Sequence, residues 1–204
     1  FAESVRLRLR EVEGEAIGPI PEGYYPGTYV RDLAVRAAEA GVDSGWPTDG
    51  LITVAVELML ERIGSDLAAL GVHHDVYTSE KAIQSSGRLD GALDDLGSLN
   101  LVYRGTLPPP KGKEIEDYTP EELPLFRASA FGDDVDRPMR KADGSFTYFG
   151  ADVAYHADKL ARGHTRLMNV WGADHAGAVL RLKAAVQALT GKKDTLEVQL
   201  MQMV

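Results

Sequence analysis

The sequence predicts an α/β chain whose later part is a parallel βαβ unit of the open-sheet kind, and three observations carry that prediction. A largely apolar run, Leu167 to Trp171, leads into the small-residue turn Gly172-Ala173-Asp174-His175. An amphipathic helical pattern follows from Asp174 to Leu189, with Val179, Leu182, Val186 and Leu189 on its inward face. The chain then turns apolar again from Leu196 to Val204, as a second strand. Such a crossover is overwhelmingly right-handed, which makes the two strands parallel. The turn then sits at the carboxyl end of a parallel strand and the start of a helix, where open α/β sheets take nucleotides and similar ligands.

Earlier elements follow from periodicity and punctuation. Phe1 to Leu9 reads as the tail of a helix, and Thr28 to Ala40 as a short helix closed by the loop Gly41 to Gly50, with Gly45 and Pro47 inside it. A longer helix follows, in which Ile52, Val56, Met59, Ile63, Leu67 and Leu70 form one apolar stripe predicted to face the core; Gly71 is its C-terminal cap. His73 to Tyr77 suggests a strand, and Ser79 with Glu80 begins helical chain interrupted near Gly87 and Gly97. Leu101 to Arg140 reads as short β segments and turns, with Pro108-Pro109-Pro110 and Lys111 to Glu122 as an irregular connection. Lys141-Ala142-Asp143-Gly144 has hairpin chemistry and joins Arg137–Arg140 to Ser145–Phe149, after which a helix starts.

The chain of 204 residues is 44% hydrophobic and 26% charged, ordinary values for a globular protein. No run approaches the roughly 20 apolar residues of a membrane span, and no signal peptide is evident, so a cytoplasmic protein with no membrane partner is expected. Cysteine is absent, which excludes disulfides and thiolate zinc sites. A net charge of −9 argues against a general polyanion-binding surface. Phe1 stands where an initiator Met would be, and the apolar strand pattern runs on to Val204 without a turn or cap; both ends read as those of an internal fragment.

Four side chains can carry chemistry from one helix face: Tyr148, Asp152, Tyr155 and Lys159 are spaced four, three and four apart. Asp152 would present a carboxylate to a cationic ligand with the Tyr148 hydroxyl fixing its angle, and a guanidinium is the best-matched partner because its planar fork pairs bidentately. The bland alternative has Asp152 complementing the helix N-terminus and Tyr148 packed in the core. At the later turn, Gly172 would admit a nucleotide to the backbone, Asp174 would accept ribose hydroxyls and His175 would lie beside phosphates; equally, Asp174 would simply cap the helix with His175 solvated. A metal at Asp174 and His175 has only two ligands in view, and His73-His74 on a strand would point to opposite faces, so no metal site is expected. Arg137, Arg140 and Lys141 form a basic cluster read as solvated.

Ordered blocks carry a family resemblance. Gly132-Asp133-Asp134-Val135-Asp136-Arg137, Arg140-Lys141-Ala142-Asp143-Gly144, Thr147-Tyr148-Phe149-Gly150-Ala151-Asp152-Val153-Ala154-Tyr155-His156-Ala157-Asp158-Lys159, Trp171-Gly172-Ala173-Asp174-His175 and Gln199-Leu200-Met201-Gln202-Met203-Val204 together resemble the arginyl-tRNA synthetases. Gly23 to Val30 and Leu70 to Val76 extend the likeness over nearly the whole chain, and Arg104 to Phe131 carries the least of it. The resemblance implies a partial Rossmann-like nucleotide-binding fold of the class I synthetase catalytic domain with an inserted β/loop region. In that division, about 71–145 is connective or inserted and 146–204 is the second half of the fold.

It further implies an ATP-dependent ligase, arginine–tRNA ligase, with L-arginine, ATP, accompanying Mg2+ and tRNA(Arg) as partners, the parent being a monomer. Tyr148 and Asp152 match guanidinium-gripping positions; Gly172, Asp174, His175, Met203 and Val204 match positions around ATP. Neither the family's His-x-Gly-His turn nor its Lys-Met-Ser-Lys type loop occurs here; the first is expected before residue 1 and the second after Val204, with the anticodon-binding domain also absent. No principal catalytic residue is therefore expected in this chain, which should be nearly inactive alone. Two other readings stay open: a non-catalytic nucleotide-fold binding module, and a related nucleotidyltransferase acting on another cationic substrate.

Overall fold

The computed structural model describes residues 1–107 and 122–202, and they form two compact units, Phe1–Tyr77 and Thr78–Val204. Residues 108–121 of the expected irregular connection, and Met203 and Val204 among the residues matched to positions around ATP, lie outside the described residues.

The first unit is three helices, α1 (Ala2–Val12), α2 (Thr28–Glu39) and α3 (Thr48–Ala69). Its core is Val5, Leu9, Val30, Ala34, Ala37, Val42, Leu51 and Ala55. The loop between α2 and α3 is pinned by charge: Arg6 donates to the carbonyls of Ser44 (2.6 Å) and Trp46 (2.8 Å), and Glu13 accepts from the Ser44 amide (2.7 Å) and hydroxyl (2.6 Å). These bonds satisfy backbone groups that the loop's own geometry leaves open. The loop closes at Pro47, so Gly50 lies inside α3.

The expected stripe of α3 is not the buried one. Ile52 and Val56 are 44% and 45% exposed, with Ile63 and Leu70 also exposed, while Leu51 and Ala55 are fully buried and Val54 and Leu58 pack beside them. Residues 51, 54, 55 and 58 make an equally good helical stripe. Periodicity shows which residues share a face but does not choose between two apolar faces; the small side chain of Ala55 sits on the one that α1 and α2 approach. Nor is His73–Tyr77 a strand, since Gly71 (φ +75°) ends the helix region and the segment runs on without a pairing partner among the described residues.

The second unit comprises α4 (Glu80–Ser85), α5 (Arg88–Ser98), β1 (Val102–Gly105), β2 (Leu123–Phe126), β3 (Arg137–Pro138), α6 (Tyr148–Ala161), β4 (Leu167–Gly172), α7 (Ala176–Thr190) and β5 (Leu196–Met201). β1, β2 and β3 form an antiparallel sheet, and β4 pairs parallel with β5 in register from Leu167↔Leu196 to Gly172↔Met201. The βαβ unit is therefore present as predicted. Its core joins Leu89, Leu96, Phe126, Met139, Phe149, Val153, Leu167, Leu182, Val186 and Leu196.

Two features set the start of α6. The 141–144 turn forms, with Gly144 at φ +80°, although only the bridge Arg140↔Phe146 follows it; Tyr148 and Phe149 belong to the helix. Thr147 caps α6 by accepting from the Gly150 amide (3.0 Å) while its hydroxyl donates to the Pro138 carbonyl (2.8 Å). Among the described residues no helix is long and apolar enough to cross a membrane.

Candidate functional site

A cavity of about 610 Å³ opens in the second unit, lined by side chains of α4, α6, α7 and the end of β4. Asp152 and Tyr155 come from α6, with Tyr148 at its first position; Trp171 ends β4, His175 precedes α7 and Arg181 lies within it; Thr78, Glu80 and Ile83 come from around α4. Capping by Thr147 starts α6 where Tyr148 and Asp152 fall one turn apart on the cavity side.

Tyr148 is 93% exposed at the cavity mouth, so it does not pack in the core. Asp152 is half-buried, and among the described residues no side chain hydrogen-bonds or ion-pairs with its carboxylate. Burial pushes its carboxyl above the ordinary value, with Glu80 adding to the rise; Arg181, His175 and Lys159 pull the other way. Lys159 stands 4.3 Å from the Tyr155 ring centroid and is itself held below its ordinary value, first by burial and then by Arg162.

The later turn lies at the carboxyl end of β4, as expected. A short 3-10 turn, Ala173–His175, intervenes before α7, and neither it nor α7 has a side-chain cap. Asp174 therefore does not cap the helix: its carboxylate is solvent-facing, 3.5 Å from His175 Nε2. A Cβ at Gly172 would meet that carboxylate, the tip of an exposed side chain that can swing aside. His175 lies 5.9 Å from Trp171, ring to ring, and reaches the cavity; Gly172 and Asp174 flank it outside the lining.

The structure thus brings Tyr148, Asp152 and His175 to one cavity, with Gly172 and Asp174 at its side. Glu80 and Arg181 join it unforeseen. Arg181 has a legible signal, since His175, Ala178 and Arg181 step by three along one helix face; Glu80 reaches the cavity only through the packing of α4 on α6.

Over its full length the chain is 47% identical to arginine–tRNA ligases of Xanthobacter autotrophicus and Cereibacter sphaeroides, and 46% identical to that of Methylobacterium nodulans. This chain is homologous to a part of the arginyl-tRNA synthetases. It spans 36–37% of the length of those relatives. A crystal structure from Campylobacter jejuni, assigned as an arginyl-tRNA synthetase, superposes with a TM-score of 0.75 at 31% identity, covering 99% of this chain and 42% of that one. The mixed α/β architecture is accordingly that of a partial synthetase nucleotide-binding fold. No protein-family profile matches the chain.

Proposed function

We propose that this chain supplies the amino-acid pocket and part of the nucleotide-facing edge of an arginine–tRNA ligase, which activates L-arginine with ATP and passes it to tRNA(Arg). The observation that carries the reading is Asp152: a half-buried carboxylate without a partner among the described residues, inside a cavity of about 610 Å³ that two tyrosines help to line. A guanidinium entering that cavity meets a carboxylate able to take it bidentately, and the Tyr148 hydroxyl at the mouth accepts a further N–H. A lysine ammonium matches the charge but not the planar fork.

In this reading the arginine side chain is anchored on α6 while the adenosine lies along the end of β4. Gly172 admits it to the backbone, Asp174 accepts ribose hydroxyls and His175 faces the phosphate side. Catalysis by this part of the protein is placement: the amino acid's carboxylate is held where it meets the α-phosphorus of ATP. Magnesium enters only as the companion of the ATP phosphates.

Calorimetric titration with arginyl and lysyl sulfamoyl-adenosine, each against the unmodified chain and Asp152→Ala, tests the proposal. The arginyl compound should bind more tightly, and Asp152→Ala should weaken it at least tenfold, about 1.4 kcal/mol or more. Equal affinity for the two compounds, or indifference to Asp152→Ala, overturns it.

A further inference from the structure

Beneath the cavity, a fully buried imidazole links the helix that carries Asp152 to the strand that ends in the Gly172 turn. His156 is 2% exposed. Its Nδ1 lies 2.7 Å from the Asp152 carbonyl oxygen, which can only accept, so Nδ1 carries the proton and donates. Nε2 is then an acceptor, and the Asn169 carboxamide nitrogen donates to it at 3.0 Å. The carboxamide oxygen lies 3.3 Å from the same ring nitrogen and takes the Lys159 ammonium at 3.5 Å, which fixes the amide's orientation. A protonated ring would place a second cation beside Lys159 in a buried site, and burial with Lys159 does hold the imidazole below its ordinary value.

With the imidazole neutral the relay has one arrangement, in which the Lys159 ammonium donates to Asn169, Asn169 to His156 and His156 to the Asp152 carbonyl. Both ring nitrogens and both polar atoms of the Asn169 carboxamide have a partner in it, as a buried polar network requires. It meets α6 at the residue whose carboxylate faces the cavity. It meets β4 three residues before Gly172.

We propose that His156, with Asn169, is a positioning residue: it fixes the Asp152 carboxylate against the nucleotide-facing end of β4 and so sets the discrimination of arginine from lysine. This rests on the functional reading above for the ligand's identity, but not for the geometry. His156→Leu removes both bonds, whereas His156→Gln extends an amide to the position of Nε2 and keeps the link to Asn169.

The test reads, for each variant shown folded by near-ultraviolet circular dichroism, the ratio of affinities for arginyl over lysyl sulfamoyl-adenosine. His156→Leu should cut that ratio about tenfold and His156→Gln by less than about threefold, since the lost contact is one of geometry. A purely structural histidine would lower the melting temperature and leave the ratio unchanged, and that result overturns the proposal.

A ligand-free arm keeps the two readings separate. The 13C titration of the Asp152 carboxyl, which feels Glu80, Arg181, His175 and Lys159, should move in His156→Leu and in Asn169→Leu, and stay in place in His156→Gln. If the unmodified chain fails to prefer the arginyl compound but this titration moves as expected, the ligand assignment falls and the positioning role stands. An unmoved titration, or a 15N spectrum showing the Nε2–H tautomer, removes the positioning role whatever the ligand.

Discussion

At Asp152, stability and the proposed function pull in opposite directions. Its folded carboxyl titrates above the ordinary value because burial disfavours the charge, so the ionised form costs stability at neutral pH and that cost is relieved as the pH falls. Asp152→Asn should therefore keep or raise the melting temperature at neutral pH while weakening the proposed binding of the arginyl compound at least tenfold, a split that calorimetry and thermal melts resolve together. Tyr148 projects into solvent at the mouth, so Tyr148→Phe should leave stability within about 0.5 kcal/mol and cost binding roughly three- to tenfold. His156 gives the opposite pH sign from Asp152. Its folded value is depressed below 6.5, so as pH falls through 6.5 the unfolded chain takes the proton first and stability drops until the folded value is reached. Urea midpoints at about pH 7.5 and about pH 5.5 should differ more in the unmodified chain than in His156→Leu.

At the scale of elements, the first turn of α6 decides where the site residues go. Gly150 is buried there, and a Cβ added to it would collide with the Met139 backbone carbonyl, which cannot swing aside as a side chain tip can. Gly150→Ala should cost about 2 kcal/mol or more by denaturant titration and weaken arginine binding with it, because the turn bearing Tyr148 and Asp152 must shift. Thr147→Ala, losing the cap and the bond its hydroxyl donates to the Pro138 carbonyl, should cost about 1–2 kcal/mol. The shared face of Tyr148, Asp152, Tyr155 and Lys159 was legible from their spacing, but the start of the helix was not: Ser145–Phe149 reads as a hairpin arm, and the Thr147 cap places Tyr148 and Phe149 in α6. α3 was legible as a helix but not in orientation, since its first turns are apolar nearly all round and only the approach of α1 and α2 selects Leu51 and Ala55 over Ile52 and Val56. The His73–Tyr77 segment misled for a related reason: a strand exists only where another supplies its hydrogen bonds.

At the scale of the molecule, each unit has its own core, while the β4–β5 pair is covered on one face only. Leu167, Trp171, Leu196 and Val198 lie with the core, whereas Met168 and Val170 are 59% and 68% exposed. Parallel strands are ordinarily buried on both faces, so replacing both with Met168→Gln and Val170→Thr should lower binding of a hydrophobic dye without loss of stability, read by dye fluorescence and urea titration. By itself the sequence determined the βαβ order, the turn at residues 172–175 and the shared face of Tyr148 and Asp152. Those are local matters, governed by periodicity, capping and turn chemistry over a few residues. Only the tertiary structure decided which face of α3 is buried, that Glu80 shares a cavity with Asp152, and that His156 reaches Asn169. Each of those depends on contacts between residues far apart in the chain, which packing sets and no local pattern encodes.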